Sequence, residues 1–225
     1  MLQKLIGKEW SEAVEPYLPS GYMDELGKAL ASEYKKYKVF PPQNEIFNAF
    51  KFTPYNDVKV IVIGCDPYIR EGQAYGISFG TLQEFAIPAS LRNIDKEVEN
   101  DIYDGFKLDF DFTLKHWCDQ GCFMYNTALT VVEGKTGSHL KLWSPFTEAV
   151  IKALNNKDFC IYLLLGKVAQ EYAKLITLKQ GQYIVTAPHP AAESYVGGTA
   201  GFFGSKVFSQ INKILIENGK NQINW

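Results

Sequence analysis

A chain of 225 residues with 46% hydrophobic and 21% charged residues has the size and composition of one globular domain, which excludes disordered, fibrous and coiled-coil architectures. Its formal net charge of −2 argues, taken alone, against a basic nucleic-acid-binding protein. Only Arg70 and Arg92 are arginines, so any grip on phosphate falls mainly to lysines, hydroxyls and backbone amides.

The N-terminal MLQKLIGKEWSEAVEPYL is too charged for a secretory signal, and no run reaches the roughly 18 apolar residues of a membrane helix, so a cytoplasmic protein without a membrane partner is expected. Residues 21–37 place Met23, Leu26, Leu30 and Tyr34 at helical spacing. The first strand-length apolar run, 58–64 (VKVIVIG), lacks alternation, as strands covered on both faces do. It is followed at once by Cys65-Asp66-Pro67-Tyr68. Ser90, after Pro88-Ala89, is placed to cap a helix in LRNIDKEVEND. Residues 95–111 then carry seven acids against two lysines, a local −5 that leaves +3 for the rest. Such a stretch reads as a solvated face turned away from nucleic acid.

His116, Cys118 and Cys122 have metal-ligand types at close spacing, but no fourth ligand is near, so no metal is expected. The second run, 121–127 (GCFMYNT), ends on Asn126-Thr127, and Pro145 marks the start of a helix over 145–155. The third run, 159–166 (FCIYLLLG), delivers Gly166-Lys167 and a helix over 167–178. The fourth, 183–188 (YIVTAP), leads into His189-Pro190, and a final helix spans 205–217. The four cysteines are scattered and expected as free thiols.

Without repeats or linkers, residues 1–225 read as a single domain. Strands alternating with helices predict an α/β, three-layer α/β/α fold around a four-stranded, mostly parallel sheet. Ligands of such sheets bind beyond the carboxyl ends of the strands, where Asp66, Asn126, Gly166-Lys167 and His189 all fall. Singly, Asp-Pro also makes turns and a lone His also satisfies cores. No G-x-x-x-x-G-K-[ST] or G-x-G-x-x-G is present, so the set suits a flat heterocycle better than a nucleotide polyphosphate. An Asn amide reads a base edge, Phe79 is available to stack on it, and His189 to bond a developing anion. Asp66 has the chemistry to orient water and to stabilise positive charge on a sugar.

Those residues sit in five motifs, in order, that resemble family 1 uracil-DNA glycosylases. KVIVIGCDPYIREGQAYGISFG is similar to the family's water-activating GQDPYH and the segment after it, and IPASLRNIDKEV to its proline-rich loop and helix. FMYNTALTV resembles the L-L-N-T-x-L-T-V strand, LLLGKVAQEYAKLI the Gly-Ser loop and helix, and APHPAAESY with GFFGSKVFS the leucine loop and its sequel. The resemblance implies that the enzyme flips deoxyuridine out of DNA and hydrolyses its N-glycosidic bond, leaving an abasic site. It implies Asp66 and His189 as catalytic, and Cys65 (through its backbone amide), Tyr68, Phe79 and Asn126 as the uracil pocket, with Tyr68 excluding thymine. Pro88, Ser90, Gly166, Lys167, Glu193 and Ser194 would meet DNA. It implies no cofactor and no metal, with uracil-containing DNA, single- or double-stranded, and a proteinaceous inhibitor as partners of a monomer.

Three departures stand out. Cys65 replaces the Gln and Ile69 the His of GQDPYH, and Ile69 cannot hydrogen-bond a phosphate. Arg70 is the neighbour placed to replace that contact. Glu193 falls where the family has an apolar wedge, and a carboxylate facing phosphates predicts weak duplex binding and a relative preference for single strands. Tyr195 is the alternative wedge. Two other functions remain open on these departures: a glycosylase-fold protein that binds DNA or a partner with weak activity, and a glycosylase for another damaged base.

Overall fold

The four apolar runs form one sheet. In the computed structural model, which describes residues 2–107 and 109–225, the strands are β1 (Val39–Phe40), β2 (Val60–Gly64), β3 (Cys122–Asn126), β4 (Val131–Val132), β5 (Cys160–Leu165) and β6 (Gln182–Ala187). The central sheet has the order β3-β2-β5-β6, and every pairing in it is parallel. β1 and β4 form a separate antiparallel pair, too short to be marked by alternation.

Side-chain alternation splits the sheet into two apolar faces. Ile61, Ile63, Phe123, Tyr125, Tyr162 and Leu164 face one core, with Ile6 of α1 (Leu2–Ile6), Trp10 of α2 (Lys8–Val14), Leu26 of α3 (Tyr22–Lys36), Phe50 of α4 (Asn48–Phe52) and Phe146 of α7 (Leu140–Leu154). Val60, Val62, Met124, Leu163 and Val185 face the other, with Ile94 of α5 (Ala89–Ile102), Trp117 of α6 (Lys115–Asp119) and Ile211 of α9 (Val207–Glu217). The fold is therefore helix, parallel sheet, helix, as the alternation of elements predicts. Among the described residues no helix is long and apolar enough to cross a membrane.

Four local expectations are corrected. Ser90 is not the cap of α5: Pro88 occupies that position and Ser90 lies inside the first turn. Pro145 lies inside α7, which begins five residues earlier at Leu140. The helix tolerates it because the carbonyl it leaves without a partner, on Lys141, is at an exposed position. The helix expected over 167–178 is an α-helical turn, α8 (Lys167–Glu171), running into a 3₁₀ turn at Tyr172–Leu175. The acidic stretch is also not wholly solvated. Glu97 is buried and accepts the Gly204 and Lys206 N–H groups, and Asp101 accepts that of Ser209, so both acids tie α5 to the start of α9.

Candidate active site

Parallel strands bring their carboxyl ends to one edge, where the loops after β2, β3, β5 and β6 surround a cavity of about 720 Å³. Asp66, Tyr68, Phe79, Asn126, Gly166 and His189 all line it. So do Arg70 and Lys167, both exposed, with Pro88 and Ser90 at the proline-rich side.

Register places Gly64 directly opposite Asn126. Thr127 N–H donates to Gly64 O at 3.0 Å and Ala128 N–H to Cys65 O at 3.0 Å, which carries the pairing past the strand end and holds Asn126 beside the Asp66 loop. A Cβ on Gly64 would run into Asn126 Oδ1 and stand 3.3 Å from the Phe79 ring. Gly64→Ala therefore displaces the amide and the ring together. We expect ligand affinity and turnover to fall by about tenfold or more, with the fold retained, measured as KM, kcat and Tm.

Phe79 has a positive φ of 64°, uncommon for a bulky residue. Tyr68 holds that conformation: its hydroxyl donates to Phe79 O at 2.6 Å. The Phe79 ring lies 5.7 Å from the His189 imidazole at 45°, so two flat groups flank the cavity. Tyr68 Oη is also 3.0 Å from Ser90 Oγ. Its one proton goes to Phe79 O, so Ser90 donates to Tyr68. The Ser90 hydroxyl is thus committed to the pocket wall and must rotate before it donates to a phosphate.

Asp66 is half-buried, and burial raises its pKa, opposed by the Gly137 N–H on Oδ2 at 2.5 Å and by the Cys65 thiol. Burial, and then the Asp66 carboxylate, push the Cys65 thiol up to about 12, so it stays protonated and unreactive. Burial lowers the pKa of His189, leaving it neutral at pH 7. Its Nδ1 accepts the Ala191 N–H at 3.2 Å, so the proton is on Nε2. Ile69 packs on Phe40, Ala74 and Val131, an apolar role that accounts for a side chain unable to hydrogen-bond there.

Glu193 is placed otherwise than the wedge reading expects. It is 3% exposed, and its carboxylate accepts the N–H groups of Ala200 at 2.9 Å, Phe202 at 2.5 Å and Phe203 at 2.9 Å. The loop wraps around the acid and supplies its charge partners from backbone, so no carboxylate faces phosphate. Glu193, its carboxylate already paired, therefore gives no repulsion that would weaken duplex binding. Tyr195, 85% exposed, is the large side chain presented beside the cavity. Ser194 is exposed, and its Oγ accepts from Asn93 Nδ2 at 3.0 Å, which leaves its own proton free for a ligand. Asn93 and Gly137 escaped the sequence reading because an Asn inside a helix and a Gly inside K-T-G-S carry no signal of a distant partner.

His116 Nδ1 is engaged by Asp111 Oδ2 at 3.1 Å, and among the described residues no group of three or more His, Cys, Asp or Glu is arranged to hold a metal ion. The four cysteines are free.

A family model described as the uracil DNA glycosylase superfamily matches residues 50–216. A uracil-DNA glycosylase of Vibrio campbellii is 40% identical over 219 residues, 96% of this chain and 95% of its own. One of Fusobacterium nucleatum is 39% identical over 98% of this chain and 96% of its own. Among solved structures, a mimivirus UNG variant, Y322L, in complex with UGI superposes with a TM-score of 0.86 at 26% identity, covering 100% of this chain and 90% of that one.

Proposed function

The chain belongs to the uracil-DNA glycosylase superfamily, and from that premise we propose that it works as a family 1 enzyme with the residues at its sheet edge in the roles their geometry suits. It is a DNA N-glycosylase: it hydrolyses the N-glycosidic bond of deoxyuridine in DNA and leaves an abasic site. The observation that carries the assignment of roles is the convergence of Asp66, Asn126 and neutral His189 on one cavity bounded by Phe79 and Tyr68.

In this reading a flipped uracil stacks on Phe79, and Asn126 pairs with its edge through one donor and one acceptor. The backbone amides at Cys65 and Asp66 meet a uracil oxygen. Tyr68, fixed at its hydroxyl, meets C5 and leaves no room for a thymine methyl. As the bond breaks, Nε2–H of His189 bonds the departing uracil anion, and the Asp66 carboxylate faces the cationic sugar and aligns water. Both charges that develop thus meet a fixed partner. Pro88, Gly166, Lys167 and Arg70 at the cavity, with the exposed Ser194, hold the DNA backbone, Ser90 joins them once its hydroxyl rotates off Tyr68, and Arg70 supplies the phosphate contact that Ile69 does not. The protein acts as a cytoplasmic monomer without metal or organic cofactor, and UGI, with which the mimivirus chain was crystallised, is proposed as its proteinaceous inhibitor.

Uracil release from single- and double-stranded oligonucleotides tests the function; no release at high enzyme concentration overturns it. The wedge is tested in the same assay. Tyr195 takes the place vacated by base flipping, so Tyr195→Ala lowers activity on duplex by roughly tenfold more than on single strands. Glu193→Leu strips the loop backbone of its acceptor and lowers activity on both. A gain on duplex from Glu193→Leu would restore the repulsive reading of that acid.

A further inference from the structure

Asp66 is held by a turn, residues 133–137, that the resemblance does not point to. Gly137 N–H donates to Asp66 Oδ2, and Gly134 N–H donates to Ile69 O at 3.0 Å, so one turn grips both ends of the 66–69 loop. A carboxylate rotates easily about its last torsion, and the bond to Oδ2 selects one orientation.

The base of this turn is closed by a buried polar chain. His139, 4% exposed, follows the turn, and its Nδ1 is 2.8 Å from Oγ1 of Thr130, which precedes it. His139 Nε2 is 3.3 Å from Glu33 Oε2 on α3. Thr130 Oγ1 also accepts Trp143 Nε1–H at 2.7 Å. An indole N–H only donates, so the assignment that satisfies every buried hydrogen sends the Thr130 proton to Nδ1 and the His139 proton, on Nε2, to Glu33. Within the turn, Val132 N–H donates to Ser138 Oγ at 2.9 Å, and Glu133 N–H to Lys38 O at 2.9 Å. Thr136, at the tip, lines the cavity, whereas Thr130, His139 and Glu33 do not.

We propose that Thr130, His139 and Glu33 are positioning residues for Asp66, acting through the Gly137 N–H; this rests on the catalytic reading of Asp66 given above. The chain sets where the turn sits, the turn sets the carboxylate plane, and the plane sets the reactive oxygen against the sugar.

The test is single-turnover uracil release, DNA affinity and thermal unfolding for Thr130→Val, His139→Ala, His139→Gln and Glu33→Gln, each made also on Asp66→Asn. Thr130→Val and His139→Ala are expected to lower the rate by roughly ten- to a hundredfold with DNA affinity unchanged. His139→Gln, which keeps one donor and one acceptor, recovers part of it. On Asp66→Asn the same substitutions leave the residual rate unaltered, because the charge they position is gone. Glu33→Gln, on the part-exposed end of the chain, keeps the experiment decisive should His139→Ala fail to fold. Equal losses in both backgrounds, or no loss in the wild-type background, overturn the positioning role. A full rate for Asp66→Asn itself overturns the reading of Asp66, and the positioning role with it.

Discussion

Asp66→Asn lowers the maximal rate of uracil release by about 10²–10⁴-fold while DNA binding persists. The substitution preserves size and still accepts the Gly137 N–H that fixes Oδ2, so what is lost is charge. In the proposed role that charge does two things at once, holding water and facing a cationic sugar. Burial raises the Asp66 pKa, and the proposed role needs the ionised form. Activity therefore falls as pH is lowered through a midpoint above the ordinary carboxylate range, and the acid limb disappears in Asp66→Asn. Stability has the opposite sign. A carboxyl whose pKa is higher folded than unfolded favours the native state most when protonated and costs stability once pH exceeds the unfolded value. Asp66→Asn accordingly unfolds at a higher temperature than wild type near neutral pH, and the gain fades as pH falls through the carboxylate range. Kinetics and melting across pH check both; a wild-type rate for Asp66→Asn sinks the assignment.

Gly166→Ala abolishes most of what His189 contributes, about 10²–10³-fold in rate, without touching the imidazole chemically. Gly166 follows β5 with φ of 87°, a conformation that only glycine adopts without strain. Its N–H donates to Ala187 O at 3.0 Å, which brings the loops after β5 and β6 into contact. A Cβ there would lie 2.7 Å from His189 Cβ, so the histidine must shift from its place beside Phe79. Because His189 is neutral and its proton is fixed on Nε2 by the Ala191 N–H, a small displacement misdirects the one donor available to the anion. His189→Ala, Gly166→Ala and the double variant are expected to have similar rates. A wild-type rate in Gly166→Ala refutes the steric argument, and a double variant much slower than His189→Ala shows that Gly166 acts on something else.

Much of this site is legible in sequence because a parallel sheet makes chain position informative. Each apolar run ends at the cavity, so Asp66, Asn126, Gly166 and His189 declare themselves by closing or following strands. Phe79 and Tyr68 were readable as pocket residues, but their bond to one another was not: a hydroxyl reaching a carbonyl 11 residues on leaves no pattern in composition. The same holds for Ser90, which looks like a helix cap beside Pro88 until the fold brings Tyr68 to its hydroxyl. Glu193 is the sharpest case. By position it falls on a wedge and promises repulsion from DNA; in the fold its charge is consumed by backbone N–H groups seven to ten residues later.

The net charge of −2 belongs to the same lesson, since part of the acidic segment 95–111 caps other elements through Glu97 and Asp101. From sequence alone come the four strands, the layered α/β architecture and the polar residues that gather at the strand ends, because these follow from hydrophobic period and from residue type at strand ends. Tertiary structure alone decided which hydrogens and charges are already spent: the proton of Ser90, the carboxylate of Glu193, the amide of Gly137 on Asp66. Those are pairings between residues distant in the chain, and a polar group's availability depends on its partner in space, which residue order does not encode.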